Sequence, residues 1–201
     1  MGTSVSQGSP TSGTASLNWL AVKATYRDER ASVDRIVQEV WKAAQRDTDA
    51  SWSSLLQSPA ILACRDIVTA STTVQEALKA ASRNIALSGQ SSIATAVAKR
   101  AIVSSFAASD RSQGFPTALF SEATKYLVSR DLPSLLGMSE RTATVASAAS
   151  LRRAIVENVE TTVRSYIATQ QSPSQGDISG WGGFVARTVA DLSGTGQGPA
   201  A

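Results

Sequence analysis

A long helical segment in the second half constrains this chain more than any other feature. Ser139 opens it, and the helical pattern runs from residue 140 to about residue 169. Apolar residues recur along it at the spacing of one helix face, namely Val145, Ala149, Val156, Val159, Val163 and Ile167. At ~1.5 Å per residue this helix would be a rod roughly 45 Å long. Its apolar face indicates a bundle in which other helices cover it.

Shorter helical patterns precede the long one. Residues 33–44 carry one apolar stripe, and a capping box at residues 73–76 begins another helix. Residues 92–108 are apolar almost all round, which predicts a centrally buried helix. The pair Phe115-Pro116 is expected to begin a further helix with proline at its first position. No stretch alternates as a β-strand does, so the predicted fold class is all-α.

Segments rich in Gly, Ser and Thr flank the helical part. We expect a flexible N-terminal tail over residues 1–16, a helical bundle over residues 17–170, and a C-terminal extension with a Gly-rich tail over residues 171–201. Trp181 and Phe184 lie on a Gly-rich segment of this extension, outside the predicted bundle. Such a segment docks onto its own bundle or onto a neighbouring subunit, and we predict these two aromatic residues as interface anchors.

The residue types present exclude many kinds of catalytic site. The chain has no histidine and one cysteine, so histidine-based nucleophile pairs, imidazole metal ligands, disulfides and thiolate zinc sites are all excluded. The carboxylates are spread singly, without the spacing of an acid–base couple or a di-metal site. Cys64 lies in an apolar run and is interpreted as a small buried hydrophobe. We therefore expect no enzymatic activity, cofactor or metal.

The positive charge is concentrated in one half of the chain. Fourteen of the 19 basic residues are arginine, the side chain that holds phosphate in a two-pronged geometry. Residues 79–170 contain eleven basic and six acidic residues, and residues 79–108 contain no acid. This basic half is where we expect a polyanion to bind.

Two placements of basic residues within helices are unusual. Arg152 falls at the centre of the apolar face of the long helix, and Arg141 lies on that face nearer its start. Lys99 and Arg100 are adjacent within residues 92–108, a segment that is otherwise apolar almost all round. With Arg83 from the acid-free stretch, these residues are the predicted nucleic-acid-binding set.

Less specific interpretations of the same residues stay open. A buried Arg152 could form an internal ion pair, for which the candidate partners are Asp66, Asp131 and Glu76. Alternatively, its aliphatic stem could be buried while its guanidinium reaches solvent. Lys99 and Arg100 could lie on a helix that is only partly buried. The charged residues on the other side of the long helix have i,i+4 spacing and indicate a solvated face: Arg153, Glu157, Glu160 and Arg164.

The tails, the helical bundle, the mildly basic centre and two local segments together resemble a known family. Residues 35–41 read Arg-Ile-Val-Gln-Glu-Val-Trp, and residues 148–167 form a long helix with arginines near its start. In these features the chain resembles the helical coat proteins of rod-shaped or filamentous RNA viruses, tobamovirus-like. The resemblance implies self-assembly into an open helical array and binding of single-stranded RNA through arginine side chains.

Other classes of function remain open beside the coat protein. The chain could be a non-enzymatic interaction protein, such as a secreted effector or adaptor that is acylated at Gly2, because its first residues match the loose myristoylation pattern. It could also be a small helical subunit of a larger nucleoprotein complex. No secretory signal or membrane-spanning segment is visible, and we expect the protein in a virion or in the cytoplasm.

Overall fold

The computed structural model describes residues 15–46, 52–88, 92–169 and 176–196. Within these ranges the chain is all-α, with no strand, as the sequence predicts. The helices are α1 (Ala15–Arg27), α2 (Val33–Gln45), α3 (Trp52–Gln57), α4 (Pro59–Ala70), α5 (Val74–Ser88), α6 (Ser92–Ser105), α7 (Arg111–Asp131), α8 (Val145–Thr169) and α9 (Ile178–Leu192). Two 3-10 turns, Leu132–Leu135 and Glu140–Thr142, connect α7 to α8.

Helix α7 is the centre of the bundle. It packs along α6 on one side and α8 on the other, with α4 crossing nearby. Residues 115–124 are buried without interruption, so the middle of this helix is covered on every side. Helix α8 is the longest, with 25 residues, and it begins at Val145 after the 3-10 turn Glu140–Thr142. The predicted long helix and its end near residue 169 are confirmed, but the helix begins at Val145 and not at residue 140.

Helix α6 is covered on one side only. The prediction that it is centrally buried is wrong, because Ile93 and Val103 are exposed. Its buried side consists mainly of alanines, and these small residues bring α6 close to α7. Gly114 of α7 packs against the connection after α6, where an added Cβ would be 2.6 Å from the Cβ of Ala108.

Helix α7 begins earlier than the proline predicts. Asp110 is its N-cap, and the Asp110 carboxylate accepts hydrogen bonds from the backbone N–H groups of Ser112 (2.9 Å) and Gln113 (3.4 Å). Pro116 therefore lies inside the helix and not at its first position. Because proline has no N–H, the carbonyl of Ser112 loses its helical partner. The Nε of Arg65, on α4, donates to that carbonyl at 3.4 Å.

The first turn of α5 confirms the predicted helix start. The Thr73 hydroxyl accepts the backbone N–H of Glu76 at 3.2 Å. The Glu76 carboxylate accepts from the Thr72 N–H at 2.9 Å, one residue earlier than in the standard capping box. Hydrogen bonds from the Thr72 backbone N–H and from the Thr72 hydroxyl to the carboxylate lower the pKa of Glu76.

Trp181 and Phe184 are buried in the chain's own core, so predicting them as interface anchors is wrong. The Trp181 indole is fully buried and donates its N–H to the carbonyl of Leu56 at 2.9 Å. Its ring stacks on Phe184, which also contacts Phe120 and Tyr166. The glycines between the two aromatics form part of helix α9 and do not form a hinge. The C-terminal extension therefore contributes a helix to the bundle.

Several predictions about the chain ends concern residues outside the described ranges. These are the flexibility of residues 1–14 and 197–201, and the acylation of Gly2. Helix α1 begins at Ala15, so the last two residues of the predicted N-terminal tail are helical.

The predicted burial of Cys64 is confirmed, and it has a measurable consequence. Cys64 is fully buried on α4, and burial raises the pKa of its thiol to about 12. The thiol is protonated below that pH, so at pH 8 only on the order of one in 10,000 molecules carries a thiolate. We expect no alkylation by iodoacetamide at pH 8 in the folded protein and complete alkylation in guanidinium chloride, measured by intact mass. Rapid alkylation of the folded protein would contradict the packing of α4.

Candidate nucleic-acid interface

Three grooves of about 400 to 470 Å³ meet on the surface over α7, between α6 and α8. Lys99 and Arg100 line the groove on the α6 side, and Arg152 and Arg153 line the one on the α8 side. The groove between them contains Lys125, which also lines the α8 groove. We call this surface the basic face and define it by six side chains: Lys99, Arg100, Lys125, Arg152, Arg153 and Arg164.

Four carboxylates share this surface, and two of them pair with basic side chains. Glu122 is nearly buried and accepts from Lys125 at 2.7 Å. Glu160 pairs with Arg164 at 2.8 Å, one helical turn apart, and also accepts from the Ser121 hydroxyl. The Glu160–Arg164 pair confirms one of the predicted i,i+4 pairs on α8, whereas Arg153 and Glu157, both described by the structure, form no ion pair with each other. These contacts occupy the carboxylates of Glu122 and Glu160. The basic face still carries more positive than negative side chains.

The other two carboxylates on the basic face lie near its edges. Glu157 lines the α8 groove beside Arg153. Asp110 lies at the start of α7, where hydrogen bonds from the Ser112 hydroxyl and from two backbone N–H groups lower the pKa of its carboxyl. Asp110 is therefore ionised at neutral pH and accepts hydrogen bonds from its own helix.

Four basic residues of this face have no ion pair within 4.0 Å in the part of the chain that the structure describes. They are Lys99, Arg100, Arg152 and Arg153. Arg100 and Arg153 are exposed, whereas Lys99 and Arg152 are half-buried and so hold their charged ends in more restricted positions. A ligand with two or more negative groups could contact both sides of α7 at once.

Arg152 does not lie at the centre of the buried face of α8, so that prediction is wrong. The buried face runs through Ala148, Leu151 and Ile155, while Val145 is 74% exposed. Arg152 is one position beyond Leu151, at the edge of the face that meets α7, and its charged end reaches solvent. The sequence pattern put the centre of the apolar face about one residue away from the side of α8 that α7 covers.

Two other predicted residues lie away from the basic face. Arg141 is in the 3-10 turn Glu140–Thr142 and not on the long helix, and it donates to the backbone carbonyl of Glu29. That contact holds the turn against the corner between α1 and α2. Arg83 is exposed on α5 and lines none of the three grooves. The structure thus brings together three of the five predicted nucleic-acid-binding residues, Lys99, Arg100 and Arg152.

The sequence interpretation overlooked Lys125 as a member of this site. Its signal was the i,i+3 spacing from Glu122 on a helix that is otherwise apolar or small at this point. Arg153 and Arg164 were assigned to an ordinary solvated face. Their place beside Lys125 depends on how α8 packs against α7, which no local pattern encodes.

Among the described residues, the arginine that is buried is Arg65, on α4. It is 6% exposed, and burial lowers the pKa of its guanidinium, while the carboxylates of Asp66 and Asp110 raise it. Its position on the apolar stripe of α4, between Ile61 and Val68, was the available signal. Arg65 joins α4 to α7 and does not contribute to the basic face.

Among the described residues, no group of three or more Cys, Asp or Glu side chains is placed to hold a metal ion. None of the helices in these ranges is long and apolar enough to cross a membrane. Comparisons with protein-family models, curated proteins and solved structures found no match to this chain.

Proposed function

We propose that this chain is a self-assembling coat protein that holds single-stranded RNA in a helical nucleoprotein filament. The observation that carries the proposal is a set of four basic residues on the two sides of α7 that form no ion pair with any described residue: Lys99, Arg100, Arg152 and Arg153. Guanidinium groups bind phosphate oxygens in pairs, and Lys99 adds a point charge. In this role the protein acts by binding and not by catalysis.

A flexible single strand suits this arrangement better than a rigid duplex. The basic residues are interrupted by Glu122 and Glu160, so a backbone that crosses α7 must pass between fixed negative groups. A single strand can adjust its path, because each nucleotide has several rotatable bonds. Val103 is half exposed beside Lys99 and Arg100 and offers an apolar contact for a base.

Exposed apolar side chains support the self-assembly part of the proposal. Leu20, Met138, Val145 and Ile178 are each more than half exposed. They lie on α1, on the segment between the two 3-10 turns, and at the starts of α8 and α9. Contacts between different patches on successive copies generate open helical arrays, whereas a patch that pairs with itself closes a dimer.

Removing two basic residues from the basic face tests the RNA part of the proposal. Each phosphate contact on a single strand contributes about 0.7 to the slope of log affinity against log salt. Arg152→Ala with Arg153→Ala should therefore lower that slope by about 1.4 and weaken binding about 25-fold at 0.1 M salt. Fluorescence anisotropy with a labelled oligonucleotide, titrated at several salt concentrations, measures both quantities.

A matched control variant distinguishes the contribution of the basic face to RNA affinity from that of net charge. Arg30→Ala with Arg46→Ala also removes two exposed positive charges, and neither residue lines the grooves over α7. We expect this pair to leave the salt slope within about 0.3 of the parent value. Equal losses from the two double variants would mean that affinity follows net charge, and would overturn the assignment of the basic face.

Electron microscopy of the purified protein separates the remaining functions. A coat protein forms filaments when RNA is added, and a subunit of a larger nucleoprotein complex binds RNA without forming them. A non-enzymatic interaction protein binds no RNA at any salt concentration.

A further inference from the structure

The groove on the α6 side of the basic face, which we call the α6 groove, has an apolar part that phosphate binding does not explain. It measures about 410 Å³ and lies where α5, α6 and α7 meet. Leu78 of α5 and Val103 of α6 line it with apolar surface, and Val103 is 50% exposed. Lys99 and Arg100 lie within one helical turn of Val103. The groove therefore suits a ligand that has an apolar part beside a negative group.

Glu122 of α7 adds a carboxylate to the α6 groove. Its Oε1 accepts hydrogen bonds from Lys125 at 2.7 Å and from the Ser104 hydroxyl at 3.4 Å, and these contacts hold the carboxylate in position. Its Oε2 forms no hydrogen bond with any described residue, and it is not one of the fully covered polar atoms among them. This second oxygen is therefore open to the groove and remains available as an acceptor.

A free carboxylate oxygen restricts which part of a nucleotide can occupy the α6 groove. A carboxylate paired with an ammonium group accepts hydrogen bonds, so the ligand must bring a donor. The phosphodiester group of RNA has no donor, and the ribose has no flat apolar face to lie on Val103. A base has both, because its faces are apolar and its edge carries N–H groups.

We propose that the α6 groove binds one base of the RNA and selects bases that carry an amino group over uracil. This inference rests on the proposed function and names the base that the basic face prefers. The amino group of cytosine, adenine or guanine donates to Oε2 of Glu122, while the base lies against Val103. The adjoining phosphate contacts Lys99 or Arg100. Uracil has its one N–H between two carbonyl oxygens, and those oxygens repel the carboxylate.

Oligocytidine and oligouridine of equal length test this proposal as a matched pair. They have the same charge and the same sugar, and cytosine has an amino group where uracil has an oxygen. Fluorescence anisotropy with the labelled oligonucleotides, titrated at about 0.1 M salt, measures the two affinities. We expect the parent protein to bind oligocytidine about 5-fold more tightly than oligouridine.

Glu122→Gln should abolish this preference. The Lys125 ammonium can only donate, so it retains the amide oxygen, and the amide NH₂ takes the place of Oε2. The ratio of the two affinities should then fall to about 1 or below, because a donor in this place favours the uracil oxygen. Glu157→Gln is the matched control: it removes the same charge at the α8 groove and should leave the ratio at about 5. Melting temperatures confirm that each variant folds.

Val103→Ala tests the apolar contact independently. Alanine favours the helix, and the residue is exposed, so the fold should hold. We expect both oligonucleotides to bind about 3-fold more weakly with an unchanged salt slope, because apolar area and no charge is lost.

The outcomes distinguish this inference from the proposed function. Equal affinity of the parent for the two oligonucleotides, tighter binding of oligouridine, a preference that survives Glu122→Gln, or unchanged affinities in Val103→Ala would overturn base selection in the α6 groove and leave RNA binding intact. Failure of the parent to bind either oligonucleotide would overturn the proposed function, and this inference with it.

Discussion

Replacement of Trp181 with alanine is expected to lower the free energy of unfolding by about 3–5 kcal/mol, one of the two largest effects we predict. The indole is fully buried, so its removal leaves a cavity between α9 and α3. The carbonyl of Leu56, near the end of α3, also loses the indole N–H that it accepts at 2.9 Å. Urea unfolding followed by circular dichroism measures the change.

Two further variants separate the parts of this effect. Trp181→Phe keeps an aromatic ring against Phe184 and loses the N–H donor, so we expect it to cost less, about 1–3 kcal/mol. Ile178→Ala removes an exposed apolar side chain from the same helix and should change stability by less than about 0.5 kcal/mol. If Trp181 were instead an interface anchor, Trp181→Ala would leave the stability of the monomer unchanged and weaken only association.

Arg65→Met is expected to lower the free energy of unfolding by about 3 kcal/mol. Methionine keeps most of the apolar stem and removes the guanidinium that donates to the Ser112 carbonyl. The loss corresponds to a decrease in melting temperature on the order of 10 °C for a chain of this size. Differential scanning calorimetry measures it. Arg65→Lys, which retains the charge, should be less destabilising.

A double-mutant cycle with Pro116→Ala tests the reason for this effect. Alanine at position 116 restores the N–H that a regular helix would direct at the Ser112 carbonyl. Arg65→Met should then cost about 1 kcal/mol less in the Pro116→Ala background than in the parent. Costs that are equal in the two backgrounds would show that Arg65 stabilises the fold through Asp66 and Asp110 and not through this carbonyl.

Local patterns predicted the helices well where the signals were themselves local. The stripe of α2 is buried as its spacing indicates, with Ile36, Val40 and Trp41 fully covered. The hydrogen bond from the Glu76 N–H to Thr73 starts α5 where the capping box predicts. Such signals depend on residues within one or two turns of each other, so they hold whatever the rest of the chain does.

The start of α7 differs from the prediction. Phe115-Pro116 predicts a helix that begins there, whereas in the structure Asp110 caps a helix that begins at Arg111. The helix can begin at this cap because Arg65, which is distant in sequence, donates a hydrogen bond to the carbonyl that proline leaves without a partner. The positions of Lys125 and Arg153 beside each other likewise depend on contacts between helices that lie far apart in sequence.

The sequence by itself determined that this chain is helical, that a long helix ends near residue 169, and that the positive charge is concentrated in residues 79–170. Spacing, capping residues and composition carry that information, because they act over a few residues. Only the tertiary structure decided which faces are covered. Packing against α7 moves Arg152 to the edge of the buried face, closure of α9 onto α3 buries Trp181, and the crossing of α4 over α7 encloses Arg65. Burial depends on the neighbours that a helix acquires, and those neighbours come from distant parts of the chain.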